Sequence, residues 1–307
     1  TEFVEDVVQL LQQHTNHDIL LQVIDVAASK DECLKDSRVI GSLIKYLSVK
    51  KLSPRAATVL TYIAAEIPES ISDENARTIL AVALPLCFNN GDTNINCYLS
   101  LICNMTLQES LSEMFLKLYF NKDKHEKSVF HKSIQYFLDN NPQSIPIPVE
   151  IIENPQEVAE YFNMIDHWQH MGNILCNLCR IEEFRKMMFK QDLNYIPRLL
   201  AQIRSKNEIR RRGAVSTLRT MLFDPVNHWW LVVEINILKY LCYPLVVPVA
   251  YTEKERSGMD SLLWMRSDAL AATAPVQENE EGNPGLHTDG MMVTTSTATD
   301  AKNDVSP

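Results

Sequence analysis

Glycine is scarce in this chain. Eight occur in 307 residues, and three of them (Gly282, Gly285, Gly290) lie beyond residue 275, so only five serve everything before it. That is too few for hairpin-rich β folds and for the glycine loops that cradle phosphates. No nucleophile elbow, HExxH, Walker lysine or glycine-rich dinucleotide turn occurs either. No segment reaches the roughly 18 uninterrupted apolar residues of a spanning helix. The most apolar stretch, 240–251, is interrupted by Pro244 and Pro248, so a soluble protein is expected. Positive charge is in deficit, 29 Lys and Arg against 39 Asp and Glu for a net charge of -10, which argues against a whole-chain nucleic-acid binder but leaves room for a local basic face. Seven cysteines follow no regular framework, and no secretory leader precedes them, which predicts a reducing compartment, the cytoplasm or the nucleus.

What is abundant is helical patterning. Apolar residues recur at three- and four-residue spacing up to about residue 275, and sustained two-residue alternation is absent. Thr15 followed by Asp18, Ser53-Pro54, Ser72 before Asp73-Glu74, and Asn154-Pro155 place capping side chains or prolines where helices should begin. Breaks are expected at Pro68, Asn89 to Asp92, Asn140 to Pro148 and Asp224-Pro225.

The helices repeat. Leu21 to Ala27, Leu60 to Glu66, Leu99 to Met105, Gly172 to Leu178 and Val215 to Met221 align with Ile24, Ile63, Ile102, Leu175 and Leu218 as equivalent positions, at intervals of 39, 39, 73 and 43 residues. Three intervals lie in or just below the armadillo/HEAT range of roughly 40 to 47 residues. The 73-residue interval contains proline-rich sequence and is read as one further repeat plus an insertion near 140–155. The predicted fold is therefore all-α, an armadillo/HEAT-like α-solenoid over residues 1–275. From residue 276 the composition turns to Glu, Gly, Thr, Ser and Asn without period, so 276–307 are expected to form a disordered tail.

Candidate chemistry is sparse. Cys176 and Cys179 form a CxxC close to His167 and His170, four ligand types within a short span. The cysteines sit inside a helical repeat where small apolar residues belong, so core packing is the favoured reading over zinc or redox chemistry. No cofactor, metal or catalytic residue is assigned, and the chain is expected not to be an enzyme. Residues 180 to 219 hold eleven Lys and Arg against four acids, +7 within an acidic protein. This is either a docking face for an acidic partner or RNA, or a solvated face balanced by acidic repeats nearby. Asn104 and Asn177 occupy equivalent repeat positions. An amide there either binds a partner's extended backbone or satisfies a neighbouring helix end.

The most specific segment is Arg210 to Leu231, RRRGAVSTLRTMLFDPVNHWWL. Through Arg211, Arg212, Gly213, Thr217, Leu218, Arg219, Phe223, His228 and Trp230-Leu231 it resembles the HGH-one homologue family of armadillo-type proteins. Gly172 to Phe189, Ile237 to Pro244 and Leu270 to Pro275 look like the flanking family segments, and the resemblance extends over about residues 15 to 275. It implies a eukaryotic cytosolic adaptor that assists folding of translation elongation factor two together with the cytosolic chaperonin and the ninety-kilodalton heat-shock chaperone. After Pro275 the chain departs from the family's expected last repeats.

The leading expectation is a non-enzymatic adaptor whose partner-binding residues are Asn104, Asn177, Arg210, Arg211, Arg212, Arg219, His228 and Trp229. The alternative is an RNA- or ribosome-associated scaffold using the basic 180–219 face, although nucleic acid is the less favoured partner and no membrane contact is expected.

Overall fold

The computed structural model describes residues 2–88, 94–119, 128–140, 142, 145–246 and 251–273. They divide into two compact units, Thr1–Leu245 and Val246–Pro307. In the first, the helices are α1 (Glu2–Gln13), α2 (His17–Ala28), α3 (Asp31–Leu34), α4 (Ser37–Tyr46), α5 (Ser53–Glu66), α6 (Asp73–Leu86), α7 (Ile95–Met105), α8 (Glu109–Tyr119), α9 (Val129–Asp139), α10 (Pro155–Ile165), α11 (Met171–Leu178), α12 (Glu182–Met188), α13 (Tyr195–Gln202), α14 (Glu208–Met221) and α15 (Ile237–Cys242). The second unit contributes α16 (Glu253–Ser257) and α17 (Ser261–Thr273), where Arg256 pairs with Asp268 at 2.9 Å and lies over the Trp264 ring. No strand occurs among the described residues.

The helix starts follow from local chemistry. Ser72 accepts from the Asn75 backbone N–H, and Asn154 accepts from those of Gln156 and Glu157 with Pro155 at the first helical position, as the sequence predicts. Asn16, not Thr15, caps α2, through Asp18 N–H. Ser53 opens α5 without capping it, and its hydroxyl instead lies 2.6 Å from the Tyr98 hydroxyl on α7. The predicted break at Asn89 to Asp92 and the tail from 276 lie outside the described residues.

Each of the five aligned repeat segments falls on its own helix, α2, α5, α7, α11 and α14, and each of these packs on the next in chain order. Their equivalent residues Ile24, Ile63, Ile102, Leu175 and Leu218 are all buried in that spine. A second column, α1, α4, α6, α9 and α13, covers it, with every successive pair in contact, α13 meeting α9 across the intervening chain. Short helices of this kind are marginal alone and gain stability by stacking. The architecture is the armadillo/HEAT-like repeat array that the spacing predicts.

The structure corrects the reading of the 73-residue interval. α7 packs directly on α11, so no further spine helix separates them, and α10 with the turns before it is an insertion beside the array. The length of an interval cannot distinguish an extra repeat from an inserted helix, because both are amphipathic. The first compact unit also ends at Leu245, ahead of the composition change at 276, at a stretch punctuated by Pro244 and Pro248.

Candidate partner-binding surface

Three polar side chains rivet the spine. Asn104 Nδ2 donates to Thr61 O (3.1 Å), joining α7 to α5. Asn177 Nδ2 donates to Cys103 O (3.0 Å) and Thr106 Oγ1 (3.1 Å), joining α11 to α7. Thr217 Oγ1 donates to Gly172 O (2.8 Å), joining α14 to α11. Of the two roles open to Asn104 and Asn177, the structure realises the one toward neighbouring helices. Their Nδ2 donors point along the array.

Arg210 is also not on a surface. It is fully buried, and its Nε and Nη2 donate to the two carboxylate oxygens of Asp166 at 2.6 and 2.7 Å. Its Nη1 reaches Phe137 O and Gln202 Oε1, and the guanidinium carbon lies 4.5 Å from the Phe137 ring centre. Around it, Asn207 caps α14 through Arg210 N–H and donates to Phe162 O and Gln169 Oε1, while Gln202 Nε2 donates to Leu138 O. The last turn of α9 offers Phe137 O and Leu138 O, helix-end carbonyls that this buried cluster satisfies, and Phe162 O of α10, which already accepts Asp166 N–H, takes a second bond from Asn207. Asp166 lies 44 residues from Arg210, too far for any local pattern to pair them.

Much of the basic 180–219 run serves the same purpose. Arg180 donates to Thr106 O and Leu107 O, Arg185 to Cys179 O and Arg180 O, and Arg211 to Ser205 O. Lys186, Arg198 and Arg212 pair with Glu182, Asp139 and Glu208. The broad basic face expected from the charge count is thus reduced, because arginine's fork matches exposed helix-end carbonyls as well as it matches a partner. Arg211, half-buried and engaged, does not share the outward line of Arg219.

What does face outward is narrower and partly apolar. On α14, Glu208, Arg212, Val215 and Arg219 recur at four, three and four residues and are all exposed, as helical geometry requires of one stripe. Arg219 has no hydrogen bond or ion pair with any described residue. Past the helix end the chain continues with Phe223 (75% exposed), Val226 (84%) and Trp229 (75%). Asp224 accepts from Val226 N–H, and His228 Nε2 lies 2.7 Å from Leu222 O, donating to it as the Nε2–H tautomer, so the turn that presents Trp229 is tied back to α14. His228 is therefore a support for this ridge, whereas Trp229 and Arg219 are its accessible groups. Phe223 appeared in the sequence only as a residue of the family resemblance and Val226 not at all; their exposure is what makes them candidates.

The CxxC is a packing feature. Cys179 is fully buried, which pushes its thiol well above the ordinary range, and burial pushes Cys103, beside Cys176, up to about 11. The Cys176 sulfur lies 3.5 Å from Thr220 Oγ1 on α14. Among the described residues no three His, Cys, Asp or Glu side chains converge as metal ligands, and no helix is long and apolar enough to cross a membrane. Replacing both Cys176 and Cys179 with Ala is expected to cost about 1 to 2 kcal/mol in denaturant unfolding through lost packing. Metal analysis of the unsubstituted protein should return no stoichiometric zinc.

Stacked repeat helices define an armadillo/HEAT-like repeat protein. The chain belongs to the family described as a domain of unknown function, DUF383, which matches residues 87–269. It is similar to curated relatives named Protein HGH1 homolog, being 35% identical to that of Danio rerio over 103 residues, 33% of this chain and 27% of the relative. To that of Dictyostelium discoideum it is 27% identical over 130 residues, 42% of this chain and 34% of the relative. The chain's matched stretch thus spans about a quarter to a third of the relatives' length. The HGH-one resemblance read from Arg210 to Leu231 stands. Among solved structures, the crystal structure of an engineered protein superposes with a TM-score of 0.53 at 14% identity, covering 88% of this chain and 95% of the other, a likeness of fold alone.

Proposed function

We propose that the chain is a non-enzymatic, cytoplasmic repeat adaptor that holds a folding client, translation elongation factor two, and presents it to the cytosolic chaperonin and the ninety-kilodalton heat-shock chaperone. The single observation that carries the binding half of this reading is the ridge Arg212, Val215, Arg219, Phe223, Val226 and Trp229. Phe223, Val226 and Trp229, each at least three-quarters exposed and lying beside the unpaired Arg219, are what a partner surface offers before association. Trp and Arg are the residue types that dominate such interfaces, the aromatic contributing buried area and the arginine steering an acidic partner. The identity of the client follows the family resemblance.

The test is binding of purified elongation factor two to the full chain carrying Trp229→Ala with Arg219→Glu. Both side chains are exposed, so the thermal midpoint should stay within about 2 °C of the parent, while affinity falls at least about tenfold. Unchanged affinity at unchanged stability would sink the reading. The alternative RNA scaffold would need a continuous basic face, and its signature would be a steep fall in RNA affinity between low and physiological salt. With so many of the arginines engaged on carbonyls, a shallow salt dependence is expected.

A further inference from the structure

We infer that the guanidinium of Arg204, stacked against Tyr240 and Tyr243, is a receptor for a carboxylate side chain of a protein partner. Arg204 follows the end of α13, and its guanidinium carbon lies 3.9 Å from the Tyr243 ring centre and 5.5 Å from that of Tyr240. Its Nε and Nη2 are shielded from solvent and have no hydrogen-bond partner among the described residues. These two N–H groups point the same way along one edge of the guanidinium. It is the edge with which Arg210, in the same molecule, grips both oxygens of Asp166.

Stacking against the tyrosines takes water from the guanidinium faces, and burial of Nε and Nη2 takes it from this edge. An ionised donor pair that has lost water and gained no acceptor is among the more costly arrangements in a protein, so the fold bears a penalty that an acceptor would relieve. The chemistry of the acceptor is set by shape. Two parallel N–H groups match the two oxygens of a carboxylate, and a planar carboxylate coplanar with the guanidinium extends a flat group that already fits against the rings. A tetrahedral phosphate would project oxygens out of that plane. Lys239, whose Nζ lies 5.2 Å from the same Tyr240 ring, and Arg211, bound to the adjoining Ser205 carbonyl, add positive potential.

The inference rests on the reading of the chain as a protein-binding adaptor, but its test needs no elongation factor. The full chain, labelled with nitrogen-15, would be titrated with a hexaglutamate peptide while the arginine Nε–H resonances are followed, that of Arg204 being assigned by its loss in Arg204→Lys. The peptide should shift the Arg204 resonance saturably, and inorganic phosphate or sodium chloride at matched ionic strength should not. Arg204→Lys keeps the charge without the fork and should bind the peptide at least about fivefold more weakly. Tyr243→Leu, which keeps the guanidinium and removes the closer ring, should also weaken binding. A resonance that does not move with peptide, or moves equally with phosphate or chloride, overturns the inference using the unsubstituted protein alone. A normal peptide response together with failure to bind elongation factor two would leave the carboxylate site standing and remove the client reading.

Discussion

Gly213→Ala is expected to lower the unfolding free energy by about 2 to 3 kcal/mol, although alanine is the better helix former by about 1 kcal/mol. The reason lies in the crossing of α11 and α14. A Cβ added to Gly213 would sit 2.9 Å from Gly172 Cα and C and from Asn173 N, and one added to Gly172 would meet the Gly213 carbonyl carbon at 2.9 Å. The obstructing atoms are backbone, which cannot rotate away as a side chain can, so the helices must separate. Separation would also stretch the bond from Thr217 Oγ1 to Gly172 O and loosen the densest helix contact in the array. Gly41, in the middle of α4, is the internal control, since nothing lies within 4 Å of a Cβ built there. Gly41→Ala should raise stability by about 0.5 to 1 kcal/mol. Urea unfolding monitored by circular dichroism separates the two, and a neutral or stabilising Gly213→Ala would show that the crossing is looser than described.

Asp166→Ala is expected to cost about 3 to 5 kcal/mol, because it strands a fully buried arginine. The cost exceeds the net worth of the pair: the attraction between two buried charges offsets much of their desolvation, whereas a single buried cation has no such offset and would also disturb Asn207, Gln202 and the helix ends they serve. Combining Asp166→Leu with Arg210→Met should therefore recover a large part of the loss, even though it removes the ion pair altogether. If the double variant is as unstable as the sum of the single ones, the carbonyl-capping role of Arg210 outweighs the charge balance. Urea midpoints at constant slope decide between these outcomes.

Both predictions turn on a residue of the segment that carries the family resemblance, Gly213 in the first and Arg210, the partner of Asp166, in the second, and neither role was legible there. In RRRG, the sequence marks three arginines alike. One is buried against Asp166, one donates to Ser205 O, and one is an exposed partner of Glu208. The helical period orders them around α14, but which face is inward depends on what packs there. Gly213 reads in sequence as a helix weakness and is in the structure the condition for close approach.

The sequence by itself determined the helical class, the repeat register and the buried line of Ile24, Ile63, Ile102, Leu175 and Leu218. These depend on local spacing, because a helix turns through a fixed angle per residue and an apolar stripe must be covered. It also marked Arg219 and Trp229 as candidates that the structure leaves exposed. Only the tertiary structure decided that α7 stacks directly on α11, that Asn104 and Asn177 bind neighbouring helices, and that most of a +7 run is engaged within the fold. Charge and polarity say that a group needs partners; they do not say whether a carbonyl from a helix 70 residues away or a second protein supplies them. That choice is made by packing, which brings distant chain segments together and leaves accessible only what it has not already satisfied.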